Sequence, residues 1–167
     1  MPAALTPIPR NDGKNMPGYR KLYLTPMVDV EAIPAAVASD VPTAITMVAA
    51  KVFVAVPFDP EAGCFLTIET PEAEGSTGYM YNLQGFIAGN TAAIRAAVET
   101  YDGVECIPVG ELQDGTLEII GEVGRGITLR FNFENGGKAG NRVGYAFTGK
   151  MDFNHLPYTY SDGTIAE

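Results

Sequence analysis

The sequence predicts a mainly β domain, an antiparallel β-sandwich or partly closed barrel with one flanking α-helix. Three observations support this fold class. The 167 residues include 19 glycines and 12 prolines, above the average usage of about 7% and 5%, and such frequent turn residues favour short strands. Segments that alternate apolar and polar residues recur along the chain, whereas one segment has helical periodicity. The predicted order is four strands, one helix and four strands.

The first four strands are predicted at residues 19–25, 45–58, 64–70 and 77–88, with a loop or irregular edge at 29–42. The stretch 45–58 carries apolar residues on both faces, interrupted by Lys51, which indicates a strand covered on both sides. A turn at 57–63 joins it to 64–70 in a predicted hairpin. An acidic loop follows at 71–78, and Gly85 is expected to bend the fourth strand.

The helix is predicted over residues 91–101, capped by Asn90 or Thr91. Its apolar stripe follows the spacing i, i+3, i+4 and i+7 and consists of Ile94, Ala97, Val98 and Tyr101. Asp102 and Gly103 end the helix. A stripe this short predicts a helix that packs on a sheet.

The last strands are predicted at 104–109, 117–123, 127–134 and 143–148, and an aromatic-rich end follows at 153–160. The segment 127–134 has the cleanest alternation, with Ile127, Leu129, Phe131 and Phe133 on one face. A glycine-rich loop spans 134–144. The length indicates a single domain, residues 18–167. Residues 1–17, which contain four prolines, are predicted to form an extended arm, either a solvated tail or a segment that orders against a neighbouring subunit.

The charge balance excludes several classes of protein. Asp and Glu number 20 against 11 Lys and Arg, a net charge of −9, so sequence-independent binding to a phosphate backbone is not expected.

No apolar run is long enough for a transmembrane helix, and the first ten residues have no secretory pattern. Cys64 and Cys106 lie on predicted strands and are expected to be reduced and buried, as suits a protein made in the cytoplasm.

The inventory of catalytic side chains is small, and we expect no enzyme activity. The one histidine, His155, would have to serve any Ser-His-Asp site, and none of the three serines lies in a nucleophile-elbow context. The glycines at 121–126 are in the wrong order for dinucleotide binding. The segment 59–63 lacks calcium-ligand spacing and is interpreted as an acidic turn. No catalytic, cofactor-binding or metal-binding residue is predicted.

The C-terminal third carries a family resemblance. Residues 117–121 end in Ile-Ile-Gly, residues 144–149 read Gly-Tyr-Ala-Phe-Thr-Gly, and the chain continues to Leu-Pro-Tyr-Thr-Tyr at 156–160. Together with Arg-Lys-Leu-Tyr-Leu-Thr-Pro at 20–26, this resembles tail-tube-like structural proteins of bacteriophages and prophages. The matching segments cover about a third of the chain. They consist of turn and strand residues, not of a catalytic signature.

The resemblance implies a virion structural protein that assembles with copies of itself into stacked rings, hexameric in such families, and contacts other virion proteins. It implies two packed sheets, one helix, and loops or arms that join neighbours. DNA would pass through the conduit without specific binding, and an acidic lumen would repel its phosphates. The acidic charge has a simpler alternative explanation, which is solubility.

Two other classes of function stay open. One is a different virion component, such as a head–tail connector, a neck protein or a capsid-decoration protein. The other is a ligand- or glycan-binding β-sandwich, for which the tyrosines at 79, 81, 145, 158 and 160 would form a platform. Aromatic residues on strands more often belong to a core than to a platform.

Overall fold

The computed structural model describes residues 18–70, 78–136 and 142–167. Over these residues the fold is mainly β, with antiparallel strand pairs and one α-helix, which confirms the predicted fold class. The sheet does not close into a barrel, and its arrangement is consistent with a β-sandwich. The predicted arm at 1–17, residues 71–77 of the acidic loop and residues 137–141 of the glycine-rich loop lie outside the described residues.

Eleven strands, one α-helix and one short 3-10 helix (Met27–Asp29) are described. The strands are β1 (Tyr19–Pro26), β2 (Val30–Ala32), β3 (Thr46–Met47), β4 (Val54–Ala55), β5 (Cys64–Glu69), β6 (Tyr79–Ala88), β7 (Glu105–Leu112), β8 (Leu117–Ile119), β9 (Ile127–Glu134), β10 (Gly144–Phe153) and β11 (Tyr158–Thr159), and the helix is α1 (Ala92–Tyr101). Most strands fall on the segments whose alternation predicts them.

The strand β7 joins two layers. One edge of β7 pairs with β1, whereas the other pairs first with β9, at Glu105 and Cys106, and then with β8, from Val109 onward. The first layer therefore consists of β4, β1, β7, β8 and β11, and the second of β9, β10, β6 and β5. Both layers contribute to one shared core, in which Leu22 and Cys106 meet Leu83, Leu129 and Phe147.

A second core covers the other face of the first layer. Ile107, Val109 and Ile119 point to this face and pack with Val41, Phe53 and Tyr160, which come from irregular parts of the chain. The segment 27–53 and the C-terminal residues 158–165 thus act as a cover for the first layer.

The helix α1 matches its prediction. Thr91 is the N-cap, and its side-chain oxygen accepts a hydrogen bond from the Ile94 N–H at 3.3 Å. Val98 is buried, and Ile94 and Tyr101 pack against the shared core. The helix ends at Asp102 and Gly103, where φ of +74° suits glycine. No helix in the described ranges is long and apolar enough to cross a lipid bilayer.

The predicted strand at 45–58 is wrong. Only β3 and β4 are strand within it, and a turn closed by the Lys51 N–H and the Val48 carbonyl, at 2.9 Å, separates them, with Ala50 at φ +62°. Tertiary contacts override the local pattern here: the Val48 N–H donates to the Asp29 carbonyl, and Lys51 forms an ion pair with Asp29 at 3.3 Å. Val52 is 43% exposed, so this segment is not covered on both sides. Lys51 itself is exposed.

The predicted hairpin of 45–58 with 64–70 is also wrong. Strand β5 pairs with β6, whereas β4 pairs with β1. Local alternation predicts strands but does not say which edges meet. The β6 ladder runs through Gly85 without a register shift, and glycine is required there because a Cβ atom would lie 2.3 Å from the Phe147 ring.

Candidate functional site

The outer face of the second layer is a regular surface that carries exposed and half-buried side chains. Three cross-strand rows form it: Phe65, Gln84, Thr148 and Arg130; Thr67, Asn82, Lys150 and Thr128; and Glu69, Met80 and Asp152. We call this set the open face. Each member is exposed or half-buried, whereas the residues that alternate with them point into the shared core. The alternation of apolar and polar residues in 127–134 predicts which side chains of β9 belong to the open face.

The chemistry of the open face is neutral and polar at its centre. Gln84, Thr148, Thr67, Asn82 and Thr128 carry amide or hydroxyl groups, which bind ligands weakly without a charged partner. Two acidic side chains, Glu69 and Asp152, balance the two basic ones, Lys150 and Arg130. The surplus of acidic residues in the chain therefore lies elsewhere, and this face neither attracts nor repels a polyanion strongly.

The edge of β9 is partly covered by the end of the helix. The Asp102 carboxylate accepts a hydrogen bond from the Phe131 N–H at 3.1 Å, and the Gly103 N–H donates to the Leu129 carbonyl at 2.8 Å. Such cover blocks a strand from adding to this part of the edge. Asp102 and Gly103, which end the helix, therefore also protect this part of the sheet edge.

Beyond this cover, the β9–β10 hairpin carries apolar side chains into solvent. Phe133 is 49% exposed and lies 5.2 Å from the Tyr145 ring, and Val143 is also exposed. The hairpin leads into the glycine-rich loop. An exposed aromatic beside an exposed valine is a candidate for contact with another protein.

The five tyrosines do not assemble into a platform. Tyr81, Tyr145 and Tyr160 are buried, and Tyr79 and Tyr158 are half-buried. The hydroxyl groups of the three buried tyrosines are used inside the fold: Tyr81 donates to the His155 carbonyl, Tyr145 donates to Asn90 at 2.9 Å, and Tyr160 donates to the Thr164 carbonyl at 2.7 Å. The platform hypothesis is wrong because these side chains fall on the core faces of their strands.

His155 packs as part of an aromatic group. Its ring stacks on Tyr158 with centroids 4.1 Å apart, and its Nε2 lies 3.7 Å from a Glu122 carboxylate oxygen. Ser161, in contrast, donates to Asp40 at 2.6 Å. The structure thus shows a packing role for His155 and a loop-fastening role for Ser161.

The two cysteines are free and buried, as predicted. Burial raises the pKa of each thiol to about 12. Among the described residues there is no group of three or more side chains that could hold a metal ion. The segment 59–63 is a turn in which Asp59 accepts a hydrogen bond from the Glu61 N–H at 2.9 Å.

An apolar cavity that is partly open to solvent lies where α1 covers the end of the shared core. It has a volume of about 90 Å³ and is lined by apolar side chains, among them Ile94, Ala97, Phe131 and Phe147. Ala97 is exposed, so the cavity opens to solvent beside the helix.

Comparisons with protein-family models, with curated proteins and with solved structures found no match. The function is therefore inferred from the surfaces of the molecule. Sequence reasoning did not single out the polar centre of the open face, because Thr, Asn and Gln are ordinary residues on any exposed strand.

Proposed function

We propose that this chain is a structural subunit of a phage virion, most consistent with a tail tube subunit that assembles with copies of itself into stacked rings around a DNA conduit. The observation that supports the proposal is the open face: a regular four-stranded surface that is polar, nearly neutral and uncovered. Antiparallel sheets commonly have one solvated face, and here that face is free to line a channel.

The proposed role assigns the open face to the channel. A channel wall must let DNA pass without retaining it, so it needs few cations and no deep pockets. The balanced charges and the hydroxyl and amide groups of the open face meet that requirement. The family resemblance of the sequence at 117–121, 144–149 and 156–160 supports the same role.

Contacts between subunits are then assigned to other surfaces. The β9–β10 hairpin, with Phe133 and Val143, offers apolar contact area next to the open face. A stable interface needs on the order of 1,000 Å² of buried surface, so the hairpin would act together with other exposed residues. Val28 and Val37, both exposed in the cover of the first layer, are candidates.

The test compares two substitutions in purified protein. Phe133→Asp places a charge on the hairpin and is expected to abolish rings and tubes, as seen by light scattering after size exclusion and by negative-stain images. Lys150→Glu places a charge of the same sign on the open face and is expected to leave assembly intact. Both side chains are exposed, so neither change should unfold the chain.

The outcomes separate the alternatives. If Lys150→Glu blocks assembly while Phe133→Asp does not, the open face is an interface and not a channel wall. Rings that never stack would favour a head–tail connector or neck protein, and a wild-type chain that stays monomeric at all concentrations would contradict the proposal.

A further inference from the structure

An open groove lies between strand β5 of the second layer and residues of β1, β7 and β8 in the first layer. It has a volume of about 430 Å³, which is within the range of about 300–1,000 Å³ that is usual for small-molecule sites. We call it the seam groove. Its apolar wall consists of Phe65, Leu66, Ile68, Leu112, Leu156 and Pro157. The seam groove is therefore large enough for one small molecule with an apolar body.

A single carboxylate interrupts this apolar wall. Glu118 of β8 is half-buried and is the only charged residue among the described residues that line the groove. Its Oε2 atom accepts a hydrogen bond from the Tyr19 hydroxyl at 3.0 Å. No Lys, Arg or His among the described residues forms an ion pair with it. The seam groove thus combines an apolar surface with one negative charge that has no cation beside it.

The local structure holds this carboxylate in place. Gly110 of β7 lies opposite Glu118 in the β7–β8 ladder. Glycine is required at this position, because a Cβ atom on Gly110 would lie 2.3 Å from the Tyr19 ring, which passes over it. Tyr19 is buried, so its hydroxyl group is fixed beside Glu118. A carboxylate that is already oriented loses less conformational freedom when it binds a ligand.

The surroundings of Glu118 favour a positively charged ligand. Burial raises the pKa of this carboxyl group, the hydrogen bond from Tyr19 lowers it, and the negative charge of Asp114 raises it again. Loss of water around the carboxylate disfavours its charged form unless a cation enters. A ligand that brings a positive charge is therefore stabilised here, whereas an anion is repelled.

We propose that the seam groove binds a small primary amine that carries one apolar group, with the ammonium group on Glu118 and the apolar group against the groove wall. Charge complementarity selects the ammonium group, and the six apolar residues of the wall select the apolar group. A lysine side chain of a partner protein has no apolar group beyond its narrow stem, so it would leave part of this wall exposed. The inference does not depend on the proposed function.

The experiment is a titration of the full chain, followed in two-dimensional amide NMR spectra. The probe is phenethylamine, and phenethyl alcohol is its matched neutral analogue. We expect the amine to shift the amide signals of Leu66, Leu112 and Glu118 in a saturable way. The alcohol lacks the positive charge and should bind about tenfold more weakly or worse.

Two variants test the role of the carboxylate. Glu118→Gln keeps the shape of the side chain but removes its charge, and we expect the dissociation constant of phenethylamine to rise about tenfold or more. The matched control is Glu99→Gln, on the exposed side of α1, which should leave the dissociation constant within about twofold. Both variants change the net charge of the chain equally, so general attraction of a cation would affect them alike.

The outcomes that would overturn the proposal are distinct. Equal binding of the amine and the alcohol to the wild type would show that Glu118 does not act on the ligand, and this comparison does not depend on the folding of a variant. Equal losses in Glu118→Gln and Glu99→Gln would assign binding to net charge. Tighter binding of N-acetyl-lysine methylamide than of phenethylamine would mean that the groove takes a lysine side chain of a partner protein.

Discussion

The two layers differ in what lies against their outer faces. The first layer is covered by the segment 27–53 and by the C-terminal residues, which place Val41, Phe53 and Tyr160 on an apolar strand surface. The second layer carries Gln84, Thr148 and other polar groups on its outer face, and no described residue covers them. Among the described residues, long irregular segments therefore cover the first layer only. The difference follows from the side chains: the apolar outer face of the first layer needs a cover, whereas the polar outer face of the second layer tolerates contact with water.

The largest expected effect comes from breaking the cover of the first layer. Tyr160 is 2% exposed, and its loss in Tyr160→Ala would leave a cavity and unpair the Thr164 carbonyl. We expect the free energy of unfolding to fall by about 3–5 kcal/mol in urea titrations. Tyr160→Phe keeps the ring and should cost about 1 kcal/mol. A loss below about 1 kcal/mol in Tyr160→Ala would mean that the cover contributes little to the fold.

The helix that closes the end of the shared core is the next most sensitive element. Ile94→Asp would place a carboxylate beside the apolar cavity, where it has no cation to pair with, and we expect a loss of about 2–3 kcal/mol. Arg95→Asp, on the exposed side of the same turn, is the control. Equal losses in the two variants would show that helix propensity, and not packing, determines the effect.

The buried thiols make the shared core sensitive to alkaline pH. The folded state raises the pKa of Cys64 and Cys106 from 9.0 to about 12. Their contribution to stability is therefore complete below about pH 9 and is lost as the pH rises toward 12, because the unfolded chain ionises first. At about pH 10 each thiol should account for about 1 kcal/mol. Cys64→Ala should flatten this part of the pH profile, and an unchanged profile would contradict the burial of the thiol.

The smallest effect is expected on the open face. Gln84→Ala removes an amide that faces solvent, so the free energy of unfolding should change by no more than about 0.5 kcal/mol. Thermal unfolding of Gln84→Ala and Tyr160→Ala, each compared with the wild type, measures how much stability the two layers lose. A loss above about 2 kcal/mol would show that the open face is packed against something in the folded monomer.

Local sequence patterns predicted the elements whose periodicity matches their burial. β9 alternates over its whole length, and α1 has both a cap and an apolar stripe, so neither needs tertiary information. The segment 45–58 has a similar pattern, but Asp29 binds its backbone and Lys51, and a turn interrupts it. Contacts between distant irregular segments have no local signature.

Local sequence patterns also do not show which residues share a surface. Strand pairing decides that Gln84, Thr148 and Arg130 share one row, and pairing partners are not visible in a single sequence. The second core depends on Val41 and Phe53, which lie outside regular alternation. The burial of the tyrosines follows from strand faces that the sequence does predict, so the core interpretation was accessible from the pattern.

The accessibility of the open face in assembled particles shows whether this face lines a channel. Thr148→Cys introduces a thiol at the centre of this face, and the high pKa of Cys64 and Cys106 keeps the native thiols unreactive near neutral pH. In the monomer, this thiol should react both with a small maleimide and with a maleimide attached to a folded protein. If the open face lines a channel, the thiol in assembled rings or tubes should still react with the small reagent but should no longer react with the bulky one. Equal reaction with the bulky reagent in both states would contradict a channel-facing surface.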